Sequence, residues 1–511
     1  MKAVRPKGLG ERALGGFGWN AVAVAGTLVL QLAVLAVLAR LLDPYDFGVV
    51  GAALVVVGFS EIFSKLGLGP AIVQVPTLTK QFEHTAFGLA LLLGITTGIV
   101  VFVSAPWIAA FFRMEELTNI VRVLAIGFPI SALGILPEAL LLREMAFRSK
   151  ALITLLSVGL GYGALGIGLG IAGAGVWALV AAHLGKMTLR MILSWFVRRP
   201  TVGIRSTVSE LKRILRFGSG MALAQVGNYS AGKGDDLVVG RWLGAAALGY
   251  YGRAYEFMMA PVNFIGQAAS NTLFPMLASI QDDAPRLRRV FRRSLSVIAI
   301  VTLPLSVLIA LLAPEFVNIL LGPNWSETVL PLQILAIALL FRTSYKISDS
   351  LAQAKGAVFR RAWRQWVYAG AVLLGAGIGQ SWGVAGVAAG VGIAVALNFG
   401  LMLTLSLQLI DGCWRDILIA HRPGLWLGAC ALLVGGGVSY GVGFTTLPNV
   451  LVVAAVSIGV MGGTVWGCRR LGSESFADLA WIIGLVGSKA GISEERVRTA
   501  LRFLNRNAGV S

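Results

Sequence analysis

The chain has 511 residues, 57% of them hydrophobic and only 13% charged, with a formal net charge of +19. Soluble domains carry roughly 25% charged residues, so this chain could not cover a globule of its size with water-compatible surface, and a soluble enzyme is excluded. A basic excess suggests nucleic acid in a soluble protein; in a membrane protein it points to topology instead.

The N-terminus begins with Lys2, Arg5, Lys7 and Arg12, followed by an apolar run from Phe17 to Leu42. That run is too long for a signal-peptide core of about 7–15 residues and has no convincing cleavage site, so it is predicted as a retained first span. Apolar length, broken by charged or Gly/Pro-rich stretches, then predicts fourteen helical spans. They fall at roughly 17–41, 47–72, 86–110, 118–141, 150–171, 174–197, 217–242, 247–275, 294–313, 328–354, 363–380, 384–410, 423–443 and 449–468.

Alternate loops are basic. One set holds Lys80; Arg143, Arg148 and Lys150; the Arg198 to Arg216 stretch; Arg286, Arg288, Arg289, Arg292 and Arg293; Lys355, Arg360, Arg361 and Arg364; Arg415 and Arg422; and the tail from Arg469. The intervening loops hold almost nothing basic, Arg113 being the exception. The positive-inside rule therefore places both termini in the cytoplasm. Two basic segments, Val208 to Phe217 and Ile492 to Asn507, alternate apolar and Arg/Lys faces at helical spacing. They read as interfacial helices on anionic lipid, or as an ordinary solvated linker and tail. Cys413, Cys430 and Cys468 have no disulfide or metal spacing, and His84, His183 and His421 form no cluster. No metal, cofactor or catalytic group is predicted.

An internal repeat organises the chain. Ala39 to Ala53 (ARLLDPYDFGVVGAA) matches Gly240 to Ala254 (GRWLGAAALGYYGRA), with Arg, Leu, Gly, Gly and Ala at identical spacing. Phe147-Arg148 aligns with Phe359-Arg360, and Ala174-Gly175-Val176 with Ala385-Gly386-Val387. Six spans separate the copies, so the halves share one orientation and are related by an axis along the membrane normal, as in alternating-access transporters. The predicted organisation is an N-terminal lobe at 1–197, a linker with an amphipathic helix at 198–216, a C-terminal lobe at 217–410, two further spans within 411–470 and a basic amphipathic tail at 471–511. Glycines at small-xxx-small spacing, such as Gly159, Gly163, Gly166 and Gly170, read mainly as close helix packing.

Ionisable residues within spans are the candidate functional groups, because each is costly in hydrocarbon and faces a partner or a cavity. Span two has Glu61 and Lys65, span four Arg122 and Glu138, and span six Lys186 and Arg190. Span seven has Gln225, Asn228, Tyr229, Lys233, Asp235 and Asp236, span eight Arg253 and Glu256, and span ten Arg342, Lys346 and Asp349. Cations exceed acids, which suits a central cleft for an anionic substrate: Arg offers bidentate contacts to phosphate or carboxylate, and Lys a point charge. Glu61 with Lys65 and Arg253 with Glu256 also fit structural ion pairs, and Asp235 and Asp236 fit proton or cation sites.

The stretch Ala39 to Gly51, with GFSEIFSKLGLGPAIVQV at 58–75, Phe147-Arg148, GAGVWAL at 173–179, DLVVGRWLG at 236–244, ALGYY at 247–251 and Phe274-Pro275, resembles the polysaccharide-transport branch of the MOP (MATE-like) superfamily, the Wzx-type oligosaccharide flippases. The resemblance covers residues 10 to about 365. It implies an all-α, two-lobed bundle of twelve core helices, here with two more, in a bacterial inner membrane. The implied activity is flipping of undecaprenyl-diphosphate-linked oligosaccharide for exopolysaccharide, O-antigen or capsule synthesis. The implied partners are that lipid-linked glycan, membrane lipids, a polysaccharide polymerase and export machinery, with the protein acting as a monomer and without nucleic acid. Cleft cations matter in this family, a role carried by position to Lys65, Lys233, Arg253, Arg342 and Lys346, with Arg122, Lys186 and Arg190 joining them as span cations. Independently of the resemblance, Asp235, Asp236, Glu256, Asp349 and Glu61 are the candidate acids for coupling of a proton or cation.

Two other readings share the fold: a MATE-like exporter of cationic drugs and a lipid II-type flippase. A membrane polymerase or ligase would need a sizeable loop with catalytic residues on the face opposite the basic loops. The longest such connection, Pro314 to Glu327, has no His.

Overall fold

The computed structural model describes residues 9–203, 208–442 and 459. The predicted fourteenth span apart from Gly459, Cys468 and the predicted 492–507 helix lie outside the described residues. Those residues fold as two compact units. The first comprises residues up to Arg253 together with Leu320–Trp325 and Ala376–Val387; the second comprises Ala254–Ile319, Ser326–Gly375 and the residues from Ala388 on. Every regular element among the described residues is helical.

The first unit begins with α1 (Leu9–Leu41), α2 (Pro44–Lys65) and α3 (Leu68–Gln74). Pro44, whose fixed φ suits a first helical position, starts α2, and the Asp43 N–H donates to the Asp46 carboxylate at 3.3 Å. Leu66 and Gly67, both left-handed, break α2 from α3. Thr79 caps α4 (Lys80–Phe112) by accepting from the Phe82 N–H at 3.1 Å, and left-handed Arg113 ends it. Next come α5 (Leu117–Ala125), α6 (Gly127–Arg143) and α7 (Phe147–Leu156), then a π-helical stretch, Ser157–Ala164, continuing into α8 (Leu165–Ile171), and α9 (Val176–Val197). Leu68, Ile72, Phe82, Leu136, Leu140 and Ile214 share one apolar core.

Helix α10 (Val208–Trp242) is continuous, joining the predicted linker helix to the predicted seventh span. In its first turns Ile214 is buried in the core just named and Leu211 packs against it, while Lys212, Arg213, Leu215 and Arg216 are exposed. The glycine at 218 has a steric reason, since a Cβ there would overlap the Leu66 carbonyl oxygen.

The second unit takes up α11 (Ala245–Ser279) from Ala254 and continues through α12 (Ala284–Leu320), α13 (Val329–Ile337), α14 (Leu339–Ala354), α15 (Val358–Gly379), α16 (Gly383–Leu409) and α17 (Trp414–Val442). Its core gathers Leu277, Leu287, Phe291, Leu295, Ile347, Leu351, Leu403 and Ile417.

Among the described residues, eight helical segments are long and apolar enough to cross a membrane, and the pair 323–337 and 339–354, bent by 42°, adds a broken ninth. One of the eight, 359–409, measures 51 residues. A crossing needs about 20, and this segment folds back at Gln380–Trp382: a Cβ on Gly379 would overlap the Gly386 carbonyl, and one on Gly375 or Gly390 the other's carbonyl. Small residues here let two backbones touch, the packing that replaces the hydrophobic drive inside lipid. Outward-facing side chains such as Leu92, Ile99, Trp107, Phe196, Leu374 and Leu433 are exposed and apolar, as a lipid-facing surface requires. The chain is a multi-pass membrane protein.

The repeat is also a contact. Helix α1 ends at Leu41 and α10 at Trp242, α2 begins at Pro44 and α11 at Ala245, and both pairs lie 201 residues apart. A Cβ on Gly48 would overlap the carbonyl of Ala245, and a Cβ on its repeat equivalent Gly249 would overlap the carbonyl of Pro44. Each copy's glycine therefore receives the first residue of the other copy's helix.

Arg143 fastens the end of α3. Its Nη1 donates to the carbonyls of Ile72 at 2.8 Å, Val73 at 3.2 Å and Val75 at 2.5 Å, and its Nη2 to Pro76 at 3.0 Å. These are the carbonyls a helix C-terminus leaves without partners. Arg143→Ala is expected to destabilise the protein by about 1.5–3 kcal/mol, the usual worth of hydrogen bonds to a charged group. Thermal unfolding in detergent checks this, and an unchanged midpoint would contradict the role.

Candidate functional site

The predicted intramembrane charges divide between the two units. In the first, each cation has an acid or a ring beside it. Lys65 donates to Glu61 at 2.8 Å, one turn along α2, with both side chains part-exposed (43% and 28%). Arg190 on α9 grips Glu138 on α6 through two bonds, Nε at 2.7 Å and Nη2 at 2.5 Å, a bidentate pair between helices that the sequence did not pair. Lys233 and Asp236 join at 2.6 Å along α10.

Asp235, next to Asp236, turns the other way and accepts from the Tyr251 hydroxyl of α11 at 2.6 Å; both residues are buried. The two adjacent acids thus serve different partners, as their 100° separation on a helix demands. Arg122 lies 5.3 Å over Phe102, Lys186 5.6 Å over Tyr162 in the π-helical stretch, and Arg253 5.2 Å over Phe47. Such cation–π contacts gain strength where water is scarce. Tyr229 donates to the Val55 carbonyl at 2.8 Å, ties α10 to α2 and fills the space over Gly58.

In the second unit Arg342 is 8% exposed and held between two phenols. Its Nη2 donates to the Tyr255 hydroxyl at 2.6 Å and its Nη1 to the Tyr368 hydroxyl, and it lies within 6 Å of both rings. Asp349, three residues beyond Lys346, is taken by Arg361 and by the Gln353 amide at 2.8 Å. Glu256 is exposed on α11.

Lys346 differs from the rest. It is half-buried, its stem occupies the space a side chain at Gly266 would take, and its ammonium lies 3.4 Å from the Val262 carbonyl. Among the described residues it takes part in no ion pair. Chemically the second unit thus presents a positive point charge on α14 beside a guanidinium locked in place.

The helix-spaced pair Glu61/Lys65 was legible from spacing; that Lys233 pairs with Asp236 was not read from it. Tyr251, Tyr255, Tyr368 and Arg361 were not, since each meets its partner from a different helix and carries no local signal.

Residues 37–330 match the family described as polysaccharide biosynthesis protein. The chain is 26% identical over 446 residues, 85% of its own length and 88% of the relative's, to the lipopolysaccharide biosynthesis protein WzxC of Escherichia coli (strain K12). It is 26% identical over 321 residues, 63% of this chain and 65% of the relative, to the succinoglycan biosynthesis transport protein ExoT of Rhizobium meliloti (strain 1021). In fold it is similar to the lipid II flippase MurJ in an inward closed conformation, with a TM-score of 0.73 at 14% identity, covering 88% of this chain and 99% of that one.

If the two phenols hold Arg342, removing both hydroxyls (Tyr255→Phe with Tyr368→Phe) strands a buried guanidinium. Loss of about 1–3 kcal/mol of stability is expected, read as a lower unfolding midpoint. The single replacements are expected to sum to less than the double.

Proposed function

The chain belongs to the polysaccharide biosynthesis protein family, and we propose that within it this protein flips undecaprenyl-diphosphate-linked oligosaccharide across the bacterial inner membrane by alternating access. The glycan feeds exopolysaccharide, O-antigen or capsule synthesis. We assign it fourteen spans: two six-helix lobes at 1–197 and 217–410, two further helices within 411–470, and both termini in the cytoplasm. The arginine distribution supports this orientation, because Arg143 and Arg148, Arg286 to Arg293, Arg360 and Arg361, and Arg415 alternate with nearly Arg-free connections.

The observation that carries the reading is Lys346, a cation inside a span with no ion-pair partner among the described residues. A lysine left so in a membrane is expensive unless an anion visits it, and a diphosphate is such an anion. Arg342, fixed by its phenols, adds positive potential without having to move. Lys65 and Arg190, part-exposed beside their carboxylates, line the route in the first unit. Asp235, buried against Tyr251, is the acid assigned to ion coupling. The membrane potential also helps, since exporting negative charge from a negative cytoplasm is favoured by about 2.3 kcal/mol per charge per 100 mV. A drug exporter for cations ranks behind this reading because Lys346 would repel its cargo.

In a strain lacking the gene, Lys346→Ala and Lys346→Glu are expected to reduce surface polymer at least about tenfold, with lipid-linked precursor accumulating and the protein still inserted. Such a loss corresponds to about 1.4 kcal/mol or more of substrate stabilisation. Lys346→Arg, which keeps the charge, is expected to retain part of the output. Normal polymer from Lys346→Glu would reject the assignment.

A further inference from the structure

Helix α15 opens with three arginines that are answered in different ways. Arg361 pairs with Asp349. Arg360 is exposed and donates through Nη2 to the side-chain oxygen of Gln408, an exposed residue near the end of α16. Arg364 is 7% exposed; its Nε donates to the Leu401 carbonyl at 3.0 Å and its Nη1 to the Arg360 carbonyl, and its guanidinium lies 4.6 Å from the centre of the Trp363 ring. The partners of Arg360 and Arg364 are thus neutral, and neither arginine enters an ion pair among the described residues. Nη2 of Arg364 has no hydrogen bond among the described residues.

Beside these cations runs an apolar stripe. Residues three, four and seven apart share one face of a helix, and Phe359, Trp363, Trp366 and Leu374 follow that spacing at 90%, 49%, 53% and 68% exposure. Gly370 lies on the same face, and a Cβ there would meet open space. Across the hairpin, Ile393 and Leu397 of α16 are likewise exposed. Arg360 stands about 100° from Phe359, at the edge of the stripe. Rings at the basic end and aliphatic side chains farther along are the order of a membrane interface passing into hydrocarbon.

We propose that the open end of the α15/α16 hairpin is a binding site for one anionic phospholipid, its headgroup phosphate on Arg360 and Arg364 and an acyl chain along Leu374, Ile393 and Leu397. Charge complementarity calls for an anion, because two cations one turn apart have only neutral partners. The adjoining stripe calls for a lipid, because a free phosphate has no use for exposed apolar side chains. Arginine suits the headgroup, since its planar fork reaches two phosphate oxygens at once. Arg364, held by carbonyls and stacked on Trp363, is the fixed half of the site. Arg360 can exchange Gln408 for phosphate without stranding a buried group, as both side chains are exposed. The site goes beyond the transport reading and uses none of its assignments, and all its residues lie in the second unit.

The test uses the full chain purified in detergent, with dioleoylphosphatidylglycerol as the anionic probe and dioleoylphosphatidylcholine as the zwitterionic control. Retained lipid is counted by native mass spectrometry, and unfolding midpoints are measured with each lipid and with inorganic phosphate. The parent is expected to prefer phosphatidylglycerol and to gain a higher midpoint from it, but not from inorganic phosphate. Arg360→Gln is expected to weaken that preference at least about fivefold, the worth of one arginine near an anionic lipid surface. Arg360→Lys, which keeps the charge, is expected to retain most of it. Arg415→Gln removes an exposed arginine from the start of α17, outside the site, and is expected to leave the preference unchanged. Each variant is read as a ratio between two lipids, so a general loss of stability cancels. An unchanged preference in Arg360→Gln overturns the site, as does an equal loss in Arg415→Gln. So does a midpoint gain from inorganic phosphate that matches the gain from phosphatidylglycerol. No glycan enters the measurement, so a wrong cargo assignment would leave its result intact.

Discussion

A charge inside a bilayer has to be answered, and the helix arrangement of this protein is organised by how each is answered. Leaving an ionisable group alone at mid-span costs several kcal/mol, comparable to a large share of a domain's total stability. Glu138 and Arg190 therefore fix the spacing of α6 and α9 through a fork that tolerates little displacement. Asp235 fixes α10 to α11 through Tyr251. Arg342 fixes α14 against α11 and α15 through two phenols. These are positional constraints first and chemistry second. They leave Lys346 half-buried within a predicted span, with the Val262 carbonyl at 3.4 Å and no ion pair among the described residues, and the functional reading grows from that difference.

Most of the helical layout could be read from the sequence because its signals are local. Apolar length gave the positions of most helices, and Glu61/Lys65 gave an ion pair by spacing. The repeat was equally plain at its corner, where α1 and α10 end, and α2 and α11 begin, 201 residues apart. The candidate site was only half legible. Which residues were polar within spans could be read off, but not whom they faced. Arg190 finds Glu138 rather than a neighbour on its own helix, and Asp349 turns to Arg361 rather than to Lys346. Pairing across helices depends on rotation and depth, which one-dimensional spacing does not encode. The amphipathic start of α10 shows the same ambiguity. A face with Leu211 and Ile214 suits lipid or protein equally; here Ile214 and Leu211 pack in the protein core, and Gly218 lets the helix close on Leu66.

Glycine has two distinct uses here. At Gly67 it supplies a left-handed backbone that turns the chain between α2 and α3. At Gly375, Gly379, Gly386 and Gly390 it supplies absence: without side chains two antiparallel helices meet backbone to backbone, and dispersion over that close contact replaces the hydrophobic effect that lipid cannot provide. The tip of the hairpin is held by this contact, and its open end by Arg364, whose Nε donates across to the Leu401 carbonyl at 3.0 Å.

The reciprocal crossing of Gly48 and Gly249 also binds the two halves of the chain as lineages. After a duplication, copies ordinarily drift apart, each free to accumulate its own changes. Here the space above each glycine is filled by the opening residue of the other copy's helix. A substitution in one half is therefore judged by the geometry of the other, and the two corners inherit a shared ledger of permitted changes long after the rest of their sequences have diverged.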